Sequence, residues 1–66
     1  MSVLKVIEVL SNSTVSWEDA TKQAITKASK TLKNIKSAYV KEHSVSVENG
    51  NVIEFRVTLK MTFELE

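Results

Sequence analysis

The chain has 66 residues, no cysteine, and nine basic against eight acidic side chains, for a net charge of +1. That length admits one domain, residues 1–66, burying only about 60% of the surface its unfolded form exposes. Disulfides and thiolate-held metals are excluded, so oligomerisation or very regular packing must supply the missing stability. The near-balance of charge gives no steer toward nucleic acid or membrane. No apolar run nears the roughly 20 residues that span a bilayer. The opening Met1-Ser2-Val3-Leu4-Lys5 lacks the apolar core of a signal peptide, so a soluble cytoplasmic protein is expected.

Val3 to Leu10 (VLKVIEVL) is rich in β-branched and leucine side chains and reads as a strand, followed by a polar loop at Ser11–Thr14. Ser16 starts a helix: its hydroxyl is placed to accept from the backbone N–H of Asp19, while Glu18 and Asp19 suit the positive end of the helix dipole. Trp17, Ala20, Ala24, Ala28 and Leu32 follow at spacings of three and four, one apolar stripe running toward Asn34. Its alanines let the helix lie close on a sheet but contribute little apolar area, so the sheet must supply most of the core. Trp17 is read as packing on that stripe, in the core or at an interface.

Ala38 to Val47 is expected to form a second strand, with Val45 and Val47 on one face and Val40 on the other. Asn49-Gly50 between two extended runs is a strong hairpin signal, because both residues tolerate positive φ. From Ile53 to Glu66 every odd position is apolar and every even position polar, the period of a strand with one polar face. Val52 to Glu66 would extend about 50 Å as a strand, whereas a helix from Trp17 to Asn34 spans only about 27 Å. One helix cannot cover that apolar face, which marks an association surface. The element order then gives an α+β fold, βαββ: a crossover joins the first two strands, and the third lies between them in an antiparallel sheet curled around the helix.

Ser2-Val3-Leu4-Lys5-Val6-Ile7-Glu8, Ser16-Trp17-Glu18-Asp19-Ala20 and the closing Phe55-Arg56-Val57-Thr58-Leu59-Lys60-Met61-Thr62-Phe63-Glu64-Leu65-Glu66 carry a further signal. Over nearly its whole length the chain resembles the dodecins. The resemblance implies a hollow homododecamer that binds and stores a small ligand without turnover. The best-known members hold pairs of flavins near their subunit contacts. In flavin-type dodecins a tryptophan opening the second strand stacks on the isoalloxazine. The matching position is Ser37, which offers no aromatic plane. A glutamine that hydrogen-bonds the flavin's pyrimidine edge is matched by Arg56, which only donates. Two arginines common in bacterial flavin-type members are matched by Ser44 and Glu64. Losing the stack alone forfeits about 1–3 kcal/mol per ring. Tyr39, on the same strand face as Ser37, has a ring that could stack a planar ligand, although a half-buried strand tyrosine more often only packs.

The expectation is therefore a non-enzymatic ligand-binding shell with its flavin site altered or lost. The alternatives are flavin binding retained in modified form, and calcium binding, as described for some dodecins that lack the stacking tryptophan. Calcium takes six to eight oxygens. Candidate oxygens lie at Ser11–Thr14, at Glu48–Asn51, and at Glu64 and Glu66. His43 is the lone histidine, with no catalytic or metal-ligand spacing around it. Lys22, Lys27, Lys30, Lys33 and Lys36 form a basic run, of which Lys22, Lys33 and Lys36 are expected to share a helix flank, and the run reads as a solvated face, not a nucleic-acid surface.

Overall fold

In the computed structural model, which describes residues 3–65, the chain runs through β1 (Leu4–Ser13), α1 (Trp17–Ala28), β2 (Ile35–Glu48) and β3 (Asn51–Glu64). The strands form one sheet in the order β1-β3-β2, with both pairings antiparallel. This is the expected βαββ plan, with the alternating strand in the middle. Ala20 and Ala24 of α1 press on Val57, Leu59 and Met61 of β3, and Ile7, Val9, Ile25 and Ala28 pack around these five buried residues. As the small helix residues require, β3 supplies the bulk of the core.

The α1 start follows the expected chemistry. Ser16 has extended backbone (φ −169°) and its Oγ accepts from the Asp19 N–H at 2.9 Å. Its end does not. α1 stops at Ala28 instead of reaching Asn34. Lys30 and Thr31 donate to carbonyls only three residues back, at Lys27 and Ala28, tightening the last turn. Asn34 then takes φ +63°, the left-handed conformation that turns the chain into β2. Lys33 consequently lies beyond the helix and Lys36 on β2, while Lys22 stays on α1, so the flank expected of these three is not one helix surface.

The polar segment at Ser11–Thr14 is also not simply a loop, because β1 continues through Ser13. Ser11 and Ser13 pair with Val57 and Phe55 on the helix-covered face. There the Ser11 hydroxyl donates to the Ala20 carbonyl at 2.8 Å. Ser13 Oγ donates to Asp19 Oδ2 at 2.6 Å and accepts from the N–H groups of Val15 and Ser16. These bonds satisfy hydroxyls that would otherwise be costly under a helix.

In β2 the faces depart from simple alternation. Register shifts between Val40 and Glu42 and between Ser46 and Val47 each change the phase. Val40 pairs with Leu59 and Val45 with Phe55, so both lie on the helix side, whereas Val47 pairs with Val52 on the other. A single bulge exchanges the two faces of every residue after it. At the hairpin tip, Asn49 (φ +52°) and Gly50 (φ +77°) are both left-handed, as a tight two-residue turn demands.

Candidate functional site

Because Val57, Leu59 and Met61 point at α1, the even-numbered residues of β3 point the opposite way, onto a sheet face with no helix over it. Cross-strand register builds that open face in rows. Val6, Thr62 and Ser37 make one row, followed by Glu8, Lys60 and Tyr39, then Leu10, Thr58 and Glu42, then Asn12, Arg56 and Ser44. Glu64 closes the near end beside Leu4.

All five positions singled out in the sequence, Ser37, Tyr39, Ser44, Arg56 and Glu64, fall on this face. They form two groups. Ser37 and Tyr39 occupy adjacent rows near Glu64, whereas Ser44 faces Arg56 directly. Six residues of β3 separate the Ser37 row from the Arg56 row, about 20 Å of strand. One subunit therefore does not gather the five around a single small ligand. Tyr39 is 65% exposed, so it is not a packed strand tyrosine within the subunit.

The charges on the face are partly paired. Lys36 Nζ lies 4.0 Å from Glu64 Oε1. Lys41, set apart by the bulge, reaches across β3 to Glu8 Oε2 at 3.4 Å and bridges the two outer strands. This pair was not legible in the sequence, since 33 residues separate the partners and the bulge sets Lys41's direction. Asn12 was likewise placed in a loop, and only the extension of β1 brings it beside Arg56.

Trp17 stands apart from the Ala20–Ala24 core. It is 37% exposed, its Nε1–H donates to the Ser44 carbonyl at 2.9 Å, and its ring meets His43 and Phe55 edge-on at centroid distances of 4.7 and 5.2 Å. It ties the helix start to β2 from the covered side. A separate cleft of about 550 Å³ runs between α1 and β1, with Ile7, Val9, Ala24 and Ala28 in its lining and Gln23 and Lys27 alongside.

The oxygens considered for calcium are dispersed. Ser11 and Ser13 already serve Ala20 and Asp19. Glu64 is beside Lys36, and Glu66 lies outside the described residues. Among the described residues no three His, Cys, Asp or Glu side chains come together as a metal would need. The described residues of one subunit do not by themselves fit a calcium ion.

A family model described as Dodecin matches residues 3–66. The calcium dodecin of Mycobacterium tuberculosis is 34% identical over 65 residues, covering 98% of this chain and 92% of that protein. Its crystal structure, described as that of a calcium-chelating antigen with a novel calcium-binding site, superposes with a TM-score of 0.86 at 32% identity, over 98% of this chain and 93% of the other. The dodecin of Streptomyces coelicolor gives a TM-score of 0.94 at 32% identity, with the same shares covered.

Proposed function

Because the chain belongs to the dodecin family, we propose that it is a non-enzymatic, cytoplasmic small-ligand binding and storage protein. It assembles as a homododecameric shell whose flavin site is altered. The observation that carries this reading is the open sheet face. Ser37, Ser44, Arg56 and Glu64 lie there in register and offer hydroxyls, a guanidinium and a carboxylate, and the ring at hand, Tyr39, stands one row away from the Ser37 position where the family's tryptophan stacks. Hydrogen bonds alone leave the large apolar plane of an isoalloxazine uncovered. The two separated groups of positions also support a site that more than one copy must complete.

The test is optical. Purified protein should be colourless, and riboflavin or FMN titrated with it should keep nearly all of its fluorescence. Strong quenching at micromolar protein would instead give Tyr39 the stacking role and restore flavin as the ligand. Calcium is the second reading, favoured by the 34% identity to a calcium dodecin. Since the described residues of one subunit bring no such set of carboxylates together, this reading draws ligands from several copies. It predicts a thermal midpoint that rises with calcium and returns with chelator. Neither reading calls for nucleic acid or a membrane, and among the described residues no helix is long and apolar enough to cross one.

A further inference from the structure

We propose that Asn12, Arg56 and Ser44 form a receptor for one oxyanion group, a phosphate or a carboxylate, on the open face of the sheet. The inference rests on the reading above and specifies the chemistry of that site. Arg56 is central in its row, with Asn12 opposite it on β1 and Ser44 opposite it on β2. Directly opposed residues on neighbouring strands have Cβ atoms about 5 Å apart, so Asn12 and Ser44 stand about 10 Å apart with Arg56 between them, a span that one oxyanion can bridge through a hydrogen bond on each side. The row offers a guanidinium fork, an amide and a hydroxyl, and no carboxylate.

Two other cations of this face already have partners, Lys36 at Glu64 and Lys41 at Glu8. Among the described residues Arg56 and Lys60 have none, and of the two only Arg56 has Asn12 and Ser44 beside it in its row. Arg56 also differs in shape. Its planar donors match two oxygens of a phosphate or carboxylate at once, which an ammonium cannot do. Ser44 is held from behind, because its carbonyl accepts the Trp17 Nε1–H at 2.9 Å. The strand that presents its hydroxyl is thereby anchored to the helix. Glu42 and Glu54 lie one register step to either side on the same face. Their carboxylates oppose any bound anion, so binding must rest on the directed bonds of the Arg56 row and not on local net charge.

The intact protein would be dialysed to equilibrium against radiolabelled inorganic phosphate and, separately, against labelled acetate, with ionic strength held constant by sodium chloride. Saturable binding of either is expected. Competition between the two probes tells whether phosphate or carboxylate is preferred. Arg56→Gln should weaken it about tenfold or more, the scale of one or two charge-assisted bonds, with Arg56→Lys in between. Lys60→Gln removes the same charge two rows away and should change it by less than about twofold. Trp17 is the only tryptophan, so its emission gives an independent titration through Ser44. If Arg56→Gln no longer assembles, the Asn12→Ala/Ser44→Ala double variant carries the same expectation of weakened binding. No saturable binding, or equal losses in Arg56→Gln and Lys60→Gln, overturns the receptor. A parallel riboflavin titration separates the two claims. Unquenched flavin without anion binding removes the receptor alone, and quenched flavin with anion binding removes the altered-flavin reading alone.

Discussion

At the scale of single residues, the turn from β1 into α1 depends on one carboxylate. Asp19 is held below its ordinary value of 3.8, first by the hydrogen bond from Ser13, then by that from Gln23, with Lys22 adding a smaller attraction against a slight burial penalty. A carboxylate whose folded value is lowered contributes stability that is present above its unfolded value. That stability is lost as pH falls through the lower, folded one. The thermal midpoint should therefore drop on acidification from about pH 5 to about pH 2, and Asp19→Asn should flatten part of that drop. An unchanged profile in the variant would show that Ser13 and Gln23 do not favour the ionised form. Trp17 separates packing from hydrogen bonding on the other side of the helix start. Trp17→Phe keeps a ring beside His43 and Phe55 but loses the donor to Ser44, and should cost about 1 kcal/mol in urea denaturation at fixed protein concentration. Trp17→Ala should cost about 2 kcal/mol, since apolar area is lost as well.

At the scale of elements, the hairpin tip gives a test that isolates backbone conformation. A Cβ on Gly50 would meet nothing within 4 Å, yet φ is +77°. Gly50→Ala should thus cost about 1–2 kcal/mol from the left-handed backbone alone. D-Alanine at position 50, introduced by chemical synthesis, should cost nothing or stabilise slightly by restricting the unfolded chain. Equal losses with both enantiomers would mean that the turn needs empty space and not positive φ. This turn, the Ser16 cap and the alternation of β3 were all legible in the sequence, because each is local chemistry at a fixed period. The end of α1 was less so: Leu32 continues the apolar stripe past Ala28, where the helix stops, and the tightened turn at Lys30 and Thr31 leaves no mark in the pattern. Long-range pairing decided what was missed. Ser11 and Ser13 look like loop residues until Ala20 and Asp19 are there to bond them. The faces of Val40, Val45 and Val47 depend on two register shifts that leave no mark in composition. The candidate positions could be numbered from the sequence, but their division into two groups, and the company of Asn12, needed the register of β1 on β3.

For the whole molecule, the question is whether one subunit is sufficient by itself. α1 has 12 residues, about 18 Å of helix, against about 48 Å for the 14 residues of β3, so the mismatch exceeds the one expected from a helix reaching Asn34. The subunit measures 51 × 20 × 13 Å, too thin to enclose much of a core. Apolar side chains are left uncovered on both faces: Val40, Val45 and Ile53 beyond the helix, and Leu4, Val6 and Leu10 on the open side. Exposed groups on this scale are association surfaces in a stable protein. Sedimentation should accordingly show one species near twelve times the 7.4 kDa subunit mass, with unfolding that depends on protein concentration. Leu10 is the sharpest probe, being 72% exposed in the single subunit. For a self-sufficient monomer, Leu10→Lys would change stability by less than about 0.5 kcal/mol. If assembly buries the open side of β1, the same substitution places an unpaired ammonium in an interface. It should then yield smaller particles and a lower thermal midpoint. A wild-type protein sedimenting at 7.4 kDa, together with a neutral Leu10→Lys, would mean that this thin sheet is stable with its apolar groups in water.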